Sequence, residues 1–345
     1  VFVGVSAGAN NTTGSVNTAV GLQAMYFNTT GSGNTALGVN TLTSNISGSG
    51  NNAIGQDALQ ANITGDNNNA IGIHALYSNT TGSYNVANGF LSLKTNTTGI
   101  RNTASGAYSL FNNTSATSTV AIGYGSAQGL ADYSNQGGTY LGYQSGFSAD
   151  TGSDYNTFLG YSSGYGVTTG ARNILLGQST INDSQNQVTT GSNNIAIGND
   201  VAVASPTANN QLNIGNLIYG TGLDGTGSTL SSGNVGIGVK DPEARLTIQN
   251  NATSSSAFTI RDALGDTSLE IRAGTSTLSN IFIGRTAGYS NTTGSDNIAI
   301  GVDALYSNET GAYNSALGTN SLVLNSTGSM NTVTGWSAMS ENVSG

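Results

Sequence analysis

A glycine recurs every 17 residues from Gly4 to Gly123, through Gly21, Gly38, Gly55, Gly72, Gly89 and Gly106. The spacing loosens through Gly142, Gly160, Gly177, Gly198 and Gly215, then returns at Gly284, Gly301, Gly318 and Gly335. Self-similarity at a fixed period marks a repeat architecture. Helical repeats need about 33 to 47 residues per unit. A unit such as Asn17–Ser32, punctuated by Gly and Asn-Thr-Thr, is also poor helix material. Its length suits one coil of an all-β solenoid, a β-roll with two short strands and two turns per coil. Successive coils are then expected to stack at about 4.8 Å.

Composition removes most chemistry. The chain has no Cys and a single His, so disulfides, thiolate nucleophiles and Cys- or His-rich metal sites are excluded. A net charge of −9 with only 8 Lys and Arg argues against nucleic acid. Apolar runs fall far short of the roughly 20 residues needed to span a membrane. The hydrophobic content of 36% is too high for a disordered chain. We expect no enzyme activity, no metal and no cofactor.

Positions are counted from the anchor glycine as zero. Position −4 is Asn in nearly every unit (Asn17, Asn34, Asn51, Asn68) and +3 is small (Ala24, Ala58, Ala75, Ser92). Most units pair Ala at −2 with Leu or Met at +4, as in Ala19/Met25 and Ala53/Leu59. Phe2/Gly8, Tyr140/Gly146, Phe158/Gly164 and Phe282/Gly288 reverse this. Exchange at constant volume is what a packed core tolerates, so −2 and +4 are expected to touch. Neighbouring residues of a strand face opposite ways. With −2 inward, the aliphatics at −1 point out: Val20, Leu37, Ile54, Ile71, Ile122, Leu159, Ile283, Ile300 and Leu317. A continuous apolar stripe calls for a partner. A symmetric oligomer, most simply a homotrimeric fibre, supplies it.

The string Asn297-Ile298-Ala299-Ile300-Gly301 with Ala304 resembles the head repeat of trimeric autotransporter adhesins of the YadA type. That family's repeat is shorter; the three extra residues here fall in the turn. The resemblance implies a trimeric β-roll joined through such aliphatic positions, on an extracellular bacterial surface. Similar repeats occur in bacteriophage tail fibres, and Ser232–Gly238 followed by Asp241–Ile248 resembles a junction found in them. The expected function is an extracellular structural and adhesive fibre. The alternatives are a phage tail fibre that binds surface glycans and an ice-binding array of Thr ladders.

Four segments follow: regular repeats over 1–123, degenerate Tyr-rich repeats over 124–215, a β insert or connector over 216–279, and regular repeats over 280–345. The insert includes a hairpin pattern with Gly265-Asp266 near its turn. The chain starts and stops inside a unit, which reads as a piece of a longer fibre.

Three sets of residues are candidate sites. Asn at +7 recurs as Asn28, Asn45, Asn62, Asn79, Asn96, Asn308 and Asn325, each in an N-x-[ST] frame. A glycan ladder is one reading; turn chemistry, which alone explains the register, is the other. Polar residues interrupt −1 at Asn88, Ser105 and Thr334. In a trimer these form an axial polar layer around water or an anion, or serve as a register device. Tyr143, Tyr161 and Tyr165 are candidates for a carbohydrate-binding face, the alternative being packing between coils. His74 occupies a variable position, +2, and reads as solvent-facing.

Overall fold

The computed structural model describes residues 1–179, 188–249, 258–261, 267–273 and 279–345. Among them there is no helix. The chain forms a β-solenoid of about 17-residue coils, in two compact units, Val1–Thr247 and Ile248–Gly345. In the first unit, strands such as Thr18–Val20, Thr35–Leu37 and Asn52–Ile54 pair in parallel, each with the equivalent strand of the next coil. This continues into the Tyr-rich region, where Thr139–Leu141 pairs with Thr157–Leu159.

Among the described residues, each coil carries one strand, of two residues at Phe2–Val3 and three in the coils that follow, not the two strands expected. The reason lies just after the anchor. Residues at +2 and +4 take left-handed φ, as at Asp57 (56°) and Leu59 (51°), so the chain coils tightly instead of extending. Left-handed backbone costs a side-chain-bearing residue about 1–2 kcal/mol. Leu59 is nonetheless fully buried, and burying a Leu contributes about 1.5–3 kcal/mol, which offsets that cost.

The anchor glycine sets the period. A Cβ on Gly55 would lie 2.7 Å from the carbonyl oxygen of Gly72 in the next coil, and Gly55 has φ +126°. Stacking at this contact therefore excludes a side chain on two counts.

The expected contact between −2 and +4 is present within single coils. A Cβ on Gly8 would lie 2.5 Å from the Phe2 ring, and one on Gly146 at 2.5 Å from the Tyr140 ring. The −2 aromatic occupies the volume that Leu or Met fills elsewhere. Ala19, Met25, Ala53 and Leu59 are all fully buried in the same core.

Two Asn columns close the coils. Asn51 Nδ2, at −4, and Asn62 Nδ2, at +7, both donate to the carbonyl of Gly65, at 2.8 and 3.0 Å. Asn51 Oδ1 also accepts from the backbone N–H of Asn68 in the next coil at 3.0 Å. The start and end of one coil are thus tied together, and each coil to its successor.

Parallel stacking stops after Leu212–Ile214, where Ile218–Gly220 pairs antiparallel with it and with Val235–Ile237. In the second unit, Phe258–Arg261 and Thr267–Ala273 pair antiparallel as a hairpin; the expected turn at Gly265-Asp266 lies outside the described residues. Thr267–Ala273 then pairs antiparallel with Ile281–Ile283, from which the parallel stack resumes.

Candidate functional site

The strand sorts its side chains by alternation. Ala at −2 is buried, and −1 faces out. Val20, Ile122, Leu141, Leu159, Ile300 and Leu317 are 37–46% exposed, while Leu37, Ile54 and Ile71 are half-buried. Their backbones align one above another: Val20 opposite Leu37, Leu37 opposite Ile54, Ile54 opposite Ile71. In the second unit Ile283, Ile300 and Leu317 align the same way. The polar interruption is consecutive: Asn88 follows Ile71, pairs with Ser105, and Ile122 follows. Thr334 stands in the second unit, where its backbone pairs opposite Leu317.

A second outward column was missed in the sequence. The ladder runs past the anchor glycine: Gly21 N donates to Val3 O at 2.8 Å and Gln23 N to Val5 O at 3.0 Å. Position +1, two residues from −1, is exposed at Leu22, Val39, Ile73, Phe90, Tyr124, Tyr143 and Tyr161. An apolar residue straight after the glycine, repeated in most units, was the available signal. From Gly4 to Gly177 neither the −1 nor the +1 column contains a charged residue.

The tyrosines stack on one another. Tyr124 and Tyr143 have centroids 5.6 Å apart at 12°, and Tyr143 and Tyr161 5.0 Å apart at 9°. Tyr108 and Phe90 extend the series by edge contacts at 5.7 and 5.4 Å. Tyr165 stands elsewhere, at +5, stacked on Phe147 at 4.9 Å and 3°. The three tyrosines therefore do not form one carbohydrate platform. Near-parallel rings this close cover each other's faces, and a sugar stacks on a ring face, so Tyr143 offers an edge.

The Asn column at +7 is also corrected. Asn28, Asn45, Asn62, Asn79, Asn96, Asn308 and Asn325 are fully buried. Their amide nitrogens donate to the side-chain oxygen of the preceding coil: Asn45 to Asn28 at 2.7 Å, Asn62 to Asn45 at 2.8 Å, Asn325 to Asn308 at 3.1 Å. A glycan replaces one of the two hydrogens of that nitrogen, and both are engaged. The column is a hydrogen-bond ladder inside the turn. The Thr hydroxyls at +8 are similarly used, Thr29 and Thr80 donating to Ile46 O and Thr97 O at 3.0 Å.

His74 is part-exposed, its Nδ1 3.8 Å from Asp57 Oδ2 in the preceding coil. Among the described residues no three His, Asp or Glu side chains gather as a metal site, and no helix is long and apolar enough to cross a membrane. Burial pushes the Tyr140 hydroxyl up to about 12, against hydrogen bonds that hold it lower. This group is enclosed in the core, where no substrate reaches it. The chain matches no protein-family description, no curated protein and no solved structure.

Proposed function

We propose that this chain is part of an extracellular structural and adhesive fibre on a bacterial surface, assembled as a homotrimer through its −1 columns. The observation that carries the reading is the outward, uncharged and largely aliphatic column, aligned coil on coil and half-buried to exposed in the single chain. A monomeric protein rarely leaves so long an apolar row in water. The mechanism is geometric. Within each unit, coils stacked and hydrogen-bonded one on the next resist bending along the stack, and the turns meet the surroundings. The likeness of Asn297–Gly301 to YadA-type head repeats supports the same reading.

Light scattering coupled to size-exclusion chromatography tests it. The expected mass is three times that of one chain, and paired Ile54→Arg and Ile71→Arg substitutions are expected to release folded monomers. A monomer mass for the unmodified protein across the accessible concentration range would sink the proposal.

A further inference from the structure

The −1 column is only part of the outward surface. Beside it, across the anchor glycine, runs the +1 column, and its composition changes along the stack. Leu22, Val39 and Ile73 lead into Phe90, Tyr124, Tyr143 and Tyr161. The aromatic stretch begins in the coil where −1 turns polar, since Phe90 lies two residues from Asn88. Gln56 and Ala107 interrupt the column, and its tyrosines stand beside the aliphatic −1 residues Ile122, Leu141 and Leu159, so the two columns together widen the apolar face there.

We propose that the +1 column, from Leu22 to Tyr161, packs against a second copy of this chain and forms the flanks of the assembly interface. This rests on the oligomeric reading above and deepens it: the aromatic column is a copy-to-copy contact and not a glycan site. Three observations support a second copy as the occupant. The first is area. Two columns of partly exposed side chains over the nine coils from Gly21 to Gly160 present on the order of 1,000 Å² per copy, against roughly 800 Å² per partner in a standard interface. The second is charge. The absence of Lys, Arg, Asp and Glu from both columns over these coils means that a like surface meets no repulsion and leaves no unpaired ion. The third is ring geometry. Tyr143 is stacked between Tyr124 and Tyr161, so along this run a partner meets ring edges and hydroxyls. Apolar edges with a polar tip suit a partly wet interface rim.

The chain's single Trp, Trp336, also sits at +1 in its own coil, so it would complicate a fluorescence reading and is removed first. Two full-length variants carry Trp336→Phe with either Tyr143→Trp or Tyr161→Trp. Acrylamide quenching of each is measured alongside light scattering. The expected result is an oligomer in which the new Trp is quenched several-fold less than in the same variant dissociated by Ile54→Arg and Ile71→Arg. An oligomer whose Trp is quenched as readily as in the dissociated form overturns this inference and leaves the −1 assembly standing. A monomer mass for the unmodified protein overturns both. Circular dichroism of each variant, matched against the Trp336→Phe parent, confirms that all are compared in the folded state.

Discussion

The regular coils of 1–123 and the Tyr-rich coils of 124–215 belong to one sheet and share the same anchor contact, yet past the first coil, where Phe2 faces Gly8, they fill their interiors differently. Around Gly55 the filler is Leu59, in left-handed backbone, beside Ala53. Around Gly142 and Gly160 it is Tyr140 and Phe158, packed edge to face at 5.4 Å, with Gly at +4. The second solution places glycine where φ is positive and moves the bulk to an extended strand position, where an aromatic is at ease. The frame of anchor glycines and strand register is constant, and the filling is exchangeable.

The comparison breaks most completely at the frame. Gly55→Val is expected to cost more than about 4 kcal/mol, because its side chain meets backbone and not a movable side chain. Gly160→Val, in the other region, is expected to do the same. Loss of the cooperative thermal transition in both is the readout.

The filling gives the next effects. Phe158→Ala, with Gly164 unchanged, is expected to cost about 3–5 kcal/mol. Leu59→Gly is expected to cost less, about 2–3 kcal/mol, since removing the side chain relieves left-handed strain of about 1 kcal/mol. Adding Ala53→Phe to Leu59→Gly converts a regular coil to the other solution and is expected to return stability to within about 1.5 kcal/mol of the parent. Denaturant midpoints test the cycle; a double variant no better than the single one would show that the exchange depends on neighbouring coils.

Alkali separates the regions further. The Tyr140 hydroxyl is held up to about 12 when folded, against 10.0 unperturbed. Between those values the unfolded chain has lost a proton that the folded chain keeps, so stability is full below about pH 10 and falls as pH rises toward 12. The loss from this group is roughly 3 kcal/mol. Burial also holds the Tyr133 hydroxyl well above its ordinary value, so Tyr140→Phe is expected to lessen that slope and Tyr140→Phe with Tyr133→Phe to flatten it. The regular region has no fully buried tyrosine, so hydrogen exchange at high pH is expected to rise first in the Tyr-rich coils.

The smallest effects lie in the ladders and on the surface. Asn62→Ala leaves the Asn45 carbonyl oxygen without its donor and is expected to cost about 1–3 kcal/mol. Tyr161→Ala removes one ring from the stack and is expected to cost about 0.5–1.5 kcal/mol within a single chain. Both are read from denaturant midpoints.

The period, the inward −2 and outward −1 positions and the contact between −2 and +4 were legible from residue order. The physical reason is locality. Strand alternation acts between neighbours, and a volume exchange six residues apart shows itself whenever one partner grows and the other shrinks. Other features depended on which side chains the stacking brings together. Asn51 and Asn62 share the Gly65 carbonyl only because the coil closes, and that closure consumes the amides a glycan would need. Tyr143 and Tyr161 read as a binding face until the spacing between coils turned their rings onto each other. The 17-residue glycine repeat, met in the sequence as a count, became in three dimensions the point where one backbone touches the next. The tertiary structure decided the rest because hydrogen bonds and ring contacts between residues a whole coil apart are set by stacking, and no local pattern encodes their geometry.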